Sequence, residues 1–203
     1  MELLQLSPDE ILQFGGLTLL IILVFMETGL LIGIIIPGGE SLLISAGLLA
    51  GSGVLDLHPA LLVISCFLAS LAGDLTGYTI GARMKRDLFR KEENWFFKPS
   101  YLVKAKRFYK KRGMAAIILG RFVPVVRTMN PFLAGSIELR YSSFFGFASV
   151  GCLLFNSCLL LGSYYFGAEF PVLRKYMAIL VPAIVLVFLI PTFFEVFKKK
   201  NKD

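Results

Sequence analysis

The sequence says most through what it uses sparingly. Among 203 residues there is one histidine, His58, and one tryptophan, Trp95. One histidine cannot build a two-histidine phosphotransfer site, and no Asp-rich cluster offers itself for metal-assisted hydrolysis. The three cysteines, Cys66, Cys152 and Cys158, lie inside apolar stretches without ligand-like spacing. They read as small buried hydrophobes, not as zinc ligands or a disulfide frame. Charged residues make up only 17% of the chain. The first 14 residues hold Glu2, Asp9 and Glu10 but no Lys or Arg, which argues against the basic n-region of a signal peptide. Neither enzymatic chemistry nor a cofactor is expected, and no metal.

What is abundant is apolar. Hydrophobic residues reach 56%, and the mean hydropathy is +0.74. A soluble domain of this length has no use for that much apolar surface. Residues 14–36, 59–82, 144–167 and 177–197 are each long enough, at about 20 residues, to cross roughly 30 Å of hydrocarbon. The expected fold is an all-α polytopic membrane protein with about three to four spanning helices. Of 21 Lys and Arg, twelve fall between residues 83 and 112 and four in the tail, at Lys198, Lys199, Lys200 and Lys202. Beside membrane spans, the positive-inside rule accounts for such runs, so no nucleic-acid partner is expected. Residues 83–112, with Trp95, Phe96 and Phe97 among lysines, read as an amphipathic cytoplasmic linker lying on anionic lipid.

With both basic segments in the cytoplasm, three full crossings through 114–136, 144–167 and 177–197 would strand the Lys-rich tail outside. Two crossings bring it back. The stretch 114–136 must then enter and leave on one side, and it holds Arg121, Pro124, Arg127, Asn130 and Pro131, which no lipid-facing helix tolerates. A spanning helix over 176–197 follows, with its C-terminus cytoplasmic. Running backwards, the Lys/Arg-free linker 51–58 lies outside. Residues 14–36, broken at Pro37-Gly38-Gly39, form either a hairpin dipping in from outside or a span followed by a half-helix.

The two halves, 14–82 and 113–168, are related. At an offset of 87, Pro37 falls on Pro124 and Glu40 on Arg127; Ala46-Gly47 meets Ala134-Gly135 at 88, and GYTIGA at 77–82 meets SYYFGA at 163–168 at 86. Four matches in order, drifting by one residue, point to duplication. On the topology above the halves enter from opposite faces, which is an inverted repeat with two re-entrant hairpins, an arrangement that places broken helices around a midplane cavity. The breaks are Pro37, Gly38, Gly39, Pro124 and Pro131.

Charges inside these stretches are costly, roughly 2.5–3.5 kcal/mol each at a helix centre. Glu27, Glu40, Arg121 and Arg127 must therefore face one another, a wet cavity or a ligand. The bland account is that the acids pair with the arginines to hold the hairpins together, although desolvation offsets most of that attraction. The functional account gives Arg121 and Arg127 to a phosphate-like anion and Glu27 and Glu40 to proton exchange. Asp74 either joins this site or caps a helix contact. Asn130 either satisfies freed carbonyls or touches substrate. Gly73, Gly77 and Gly81, four residues apart, allow close helix packing, and Tyr78 reads as an interfacial anchor.

At these residues the chain resembles the DedA family, the bacterial branch of the SNARE-associated Golgi (VTT-domain) superfamily. The resemblance is carried by Glu27, PGGESLLISAG (37–47), GDLTGYTIGA (73–82), GRFVPVVRTMNPFLAG (120–135) and FFGFASVGCLLFNSCLLLGSYYFG (144–167). It implies re-entrant hairpins in one domain and membrane-embedded acidic and arginine residues needed for activity, here Glu27, Glu40, Arg121 and Arg127. It also implies a multi-pass protein of the bacterial cytoplasmic membrane that moves an anionic lipid phosphate, undecaprenyl phosphate above all, at the expense of proton motive force. Two departures stand out: the Pro-Gly-acid motif carries an extra glycine, and Asn156 replaces a bulky aromatic. A proton-coupled small-ion or drug transporter and an uncoupled phospholipid scramblase are the alternatives. The expected partners are a membrane lipid, protons and a second copy in a homo-oligomer.

Overall fold

The computed structural model describes residues 8–29, 39–90, 109, 115–170, 175, 176 and 179. These form six helices: α1 (Pro8–Gly29), α2 (Gly39–Gly51), α3 (Pro59–Arg90), α4 (Ala115–Gly120), α5 (Pro124–Ser136) and α6 (Tyr141–Glu169). No strand occurs among the described residues. Pro37, Gly38, the linker from 91 to 108 and most of the span expected over 176–197 lie outside them.

Among the described residues, two helices are long and apolar enough to cross a membrane: α3 over Pro59–Met84, 26 residues, and α6, 29 residues. Both wear apolar side chains outward. On α3 the exposed positions Leu61, Ile64 and Leu68 follow helical spacing, while Leu62, Cys66, Ala69 and Ser70 turn inward. On α6, Val150, Leu153 and Leu154 are exposed while Phe144, Ala148, Cys152 and Phe155 are buried. A helix with hydrocarbon on its outer face and a packed inner face is one solvated by lipid.

Three of the other helices, α2, α4 and α5, are short. The stretch 114–136, which the charge-parity argument required to enter and leave on one side, is not a through-going helix; it breaks into α4 and α5 at Arg121-Phe122-Val123. At 13 residues, α5 is about 20 Å long, too short to cross. Pro124 opens α5, where its missing N–H costs nothing. Pro131, expected to be a break, stands inside the helix instead. It is buried, with its Cβ 3.2 Å from the place a Cβ on Gly77 would take, so packing holds the helix together across the missing N–H.

The helix ends are set locally. Pro59 begins α3, and His58 Nδ1 accepts a hydrogen bond from the Ala60 N–H at 3.2 Å, so the lone histidine caps a helix. α2 closes with Val54 N–H donating to Leu49 C=O at 3.0 Å around Gly53, whose φ is +71°. α5 closes the same way, with Leu139 N–H donating to Ala134 C=O at 3.0 Å around Glu138, φ +57°.

The chain forms two compact units that cut across the boundaries of the sequence halves. The first takes α1 up to Val24, α2, α3 up to Ala69 and α6 from Asn156. The second takes the end of α1 from Phe25, α3 from Ser70, α4, α5 and α6 up to Phe155.

Candidate functional site: a buried charge cluster in the second unit

The site begins with the glycine stripe on α3. A Cβ on Gly73 would run into the Thr28 hydroxyl and come within 3.0 Å of the Phe25 carbonyl, and a Cβ on Gly29 would lie 3.1 Å from Gly73 Cα. The last turn of α1 therefore crosses α3 backbone against backbone. Two turns on, a Cβ on Gly81 would strike the Phe132 carbonyl, and one on Gly135 the Tyr78 carbonyl. α5 thus packs on the same α3 helix just beyond α1. Such contact distances are open only to residues without a side chain.

This docking brings opposite charges together. Glu27, in the last turn of α1, meets Arg127 of α5, with Nη2 to Oε1 at 2.6 Å. Asp74, next to Gly73 on α3, pairs with Arg121 in the α4–α5 turn. All four are nearly sealed, with exposures of 8% for Glu27, 3% for Asp74, 4% for Arg121 and 6% for Arg127. Cys152 Sγ lies 3.5 Å from Asp74 Oδ2 and adds a weak thiol donor.

α6 forms the opposite wall. A Cβ on Gly151 would sit 3.1 Å from Arg121 Cδ, so glycine here lets that side chain lie against the helix without being displaced. Four residues on, Phe155 carries the Arg127 guanidinium over its ring, 5.1 Å from the centroid. The arginines thus lie over consecutive turns of one helix face, about 6 Å apart along its axis.

Asn130 braces the arrangement. Its Nδ2 donates to the Ile117 carbonyl at 3.0 Å, tying α5 to α4, and its Oδ1 accepts from the Tyr109 hydroxyl. Burial first, and the Asp74 charge second, push the Tyr109 phenol up, so it remains a protonated donor at any physiological pH. No side chain caps the start of α5, and Arg127 lies in its first turn with Arg121 just before it. A positive helix end beside two guanidinium groups is a place where an anion is stabilised.

Of the expected site residues, Glu27, Asp74, Arg121, Arg127 and Asn130 come together here. Asp74 is paired with Arg121 within this charge cluster. Asn130 satisfies a carbonyl of α4. Glu40 belongs to the first unit, in the first turn of α2, and Gly39 is the first residue of that helix. Tyr78 is not an interfacial anchor: it is buried, stacks on Phe144 at 4.8 Å and donates its hydroxyl to the Leu139 carbonyl. Tyr109, Gly151 and Phe155 were not singled out by the sequence, and Cys152 was read only as a small buried hydrophobe. Their importance comes from long-range neighbours, and only the i, i+4 spacing of Gly151 and Phe155 is a local sign.

The VTT domain family matches residues 36–165, well over half of the chain. Protein DedA of Escherichia coli K12 is 36% identical over 183 residues, covering 90% of this chain and 83% of its own length. An uncharacterised membrane protein of Mycobacterium tuberculosis H37Rv is 38% identical across 88% of this chain and 78% of its own. The inner membrane protein YqjA of E. coli K12 is 29% identical across 83% of this chain and 78% of its own. No solved structure matches the chain. Two apolar helices of membrane length, buried charges on the conspicuous motifs and these similarities converge: the chain is a membrane protein of the DedA family.

Proposed function

We propose that the protein carries an anionic lipid phosphate, with undecaprenyl phosphate as the leading substrate, across a bacterial inner membrane in exchange with protons. The observation that carries this reading is the set of two buried arginines, each held by a buried carboxylate, at the uncapped start of a short helix. Inner-membrane residence is drawn from the name of a relative.

Charge balance supplies the coupling. Two acids and two arginines are neutral together. A phosphate monoester carries about −1.5 to −2 at neutral pH, so entering the site unaccompanied would leave that charge in a sealed pocket. Protonating Asp74 and Glu27 releases the guanidinium forks, which then bind phosphate oxygens bidentately. About one to two protons accompany each phosphate, by the same accounting. Loading is favoured on the acidic outer side and release on the cytoplasmic side, so the proton gradient drives the lipid inward. The protein breaks no bond. The short helices α2, α4 and α5 act as the re-entrant parts of an inverted repeat, and their lengths support this. The Lys-rich tail lies in the cytoplasm.

The test is reconstitution in proteoliposomes with a fluorescent polyprenyl phosphate and its uncharged polyprenol, under an imposed pH gradient. The phosphate is expected to move faster with the gradient and the alcohol not to respond. Arg121→Ala and Arg127→Ala are expected to abolish the response. Wild-type rates in both arginine variants would overturn the site. Small-ion flux without lipid movement would favour an ion transporter, and gradient-indifferent lipid movement a scramblase.

A further inference from the structure

One more grouping in the second unit links an exposed side chain to the charges by ring contacts. The face of the Arg127 guanidinium is covered by Phe155, and Phe155 meets Phe122 edge-on with centroids 5.6 Å apart. Phe155 is buried, whereas Phe122 and Val123 are 53% and 49% exposed. Both exposed residues follow the buried Arg121 in the α4–α5 turn. A ring against the guanidinium face leaves its in-plane N–H forks to acids or phosphate. A binding place for a hydrated free anion is lined by polar groups and water. Here the guanidinium face and the exposed turn beside it are joined by rings instead.

We infer that Phe122 and Phe155 form a subsite for the first part of the apolar chain of an amphiphilic anion whose charged head sits on Arg121 and Arg127. This rests on the anion-carrier reading above and adds where the chain lies. The occupant follows from continuity: the rings run directly on from the cation, so a chain attached to a bound phosphate passes over Phe155 and Phe122 to the exposed turn. The subsite makes a lipid phosphate, and not inorganic phosphate, the fitting ligand.

The experiment measures half-saturation for two probes in proteoliposomes, a polyprenyl phosphate and a short water-soluble phosphate monoester acting as competitor. Phe122→Ala is expected to weaken the polyprenyl phosphate about fivefold, the size of one aromatic contact, and to leave the short monoester unchanged. Arg127→Ala weakens both. In parallel, p-benzoylphenylalanine at position 122 is expected to crosslink tritiated polyprenyl phosphate well above the same probe at Val150, an exposed α6 position. That excess should vanish when Arg127→Ala is added. Equal weakening of both probes by Phe122→Ala, or labelling at 122 no greater than at 150, overturns the subsite while the arginine dependence of transport stands. Arginine variants that transport normally would instead sink the carrier reading itself.

Discussion

The two compact units use the same packing device for different ends. In the first, α2 lies against the closing turns of α6: a Cβ on Gly51 would strike the Tyr164 carbonyl, and one on Gly47 the Ser163 hydroxyl. In the second, α5 lies against α3 in the same manner through Gly81 and Gly135. Both short helices end on the same hydrogen-bond pattern. Yet the first unit buries chiefly Leu, Ala and Ser at this contact, while the second adds two ion pairs. Glycine against backbone therefore suffices to dock a short helix. If the charges are surplus to docking, the proposed transport is what keeps them in the costliest solvent available.

The sharpest way to break that contrast is to remove charges singly and in pairs. Asp74→Leu leaves Arg121 buried without its counter-charge and is expected to cost about 3–5 kcal/mol. The double variant Asp74→Leu/Arg121→Met should recover most of this, since buried pairs exchange for apolar residues at little cost. Transport should stay absent in both. Thermal unfolding in detergent, with transport measured per folded molecule, separates the two. A double variant as unstable as the single one would mean that the pair holds the fold.

That ordering also explains what could be read in advance. Glu27, Asp74, Arg121 and Arg127 were legible because an ionised group in an apolar stretch has few explanations. The break before α5 was legible because Pro124 and a failed parity of crossings agree. The partners were not. Asp74 and Arg121 are 47 residues apart and Glu27 and Arg127 are 100 apart. Which acid meets which base is decided by where the glycine stripe docks α1 and α5. Pro131 misled because a proline breaks a helix only where nothing else holds the turn, and here Gly77 provides the close contact. Tyr109 sits in a basic linker that gives no hint of a buried phenol.

A second comparison exchanges glycine for leucine at the two docking contacts, Gly51→Leu and Gly135→Leu. Each new side chain meets backbone that cannot swing aside, at an expected cost of about 1–3 kcal/mol. Stability should fall alike in both units. Transport per folded molecule should fall further for Gly135→Leu, because α5 carries Arg127. Equal transport losses would mean that the units function as one.

Gly151→Ala probes the site with a smaller push. The new methyl lies 3.1 Å from Arg121 Cδ, so the side chain must yield by a few tenths of an ångström. Because a displacement of 1 Å in a functional group can cost 10²-fold, the expected loss of transport is about threefold. The melting temperature should barely move. An unchanged rate would show that Arg121 takes another course when loaded.

The smallest effect tests the shared closure of the short helices. Gly53 and Glu138 occupy equivalent left-handed positions after α2 and α5, but only glycine adopts that backbone without strain. Glu138→Gly should therefore stabilise the protein by about 1 kcal/mol, and Gly53→Glu should destabilise it by a similar amount. Tyr78, whose hydroxyl holds the Leu139 carbonyl beside Glu138, compensates for the strain in the second unit. Tyr78→Phe should then cost more in the native background than in Glu138→Gly. Additive effects in that double-mutant cycle would show that the hydrogen bond and the strained turn are independent, and that the second unit tolerates its left-handed glutamate for some other reason.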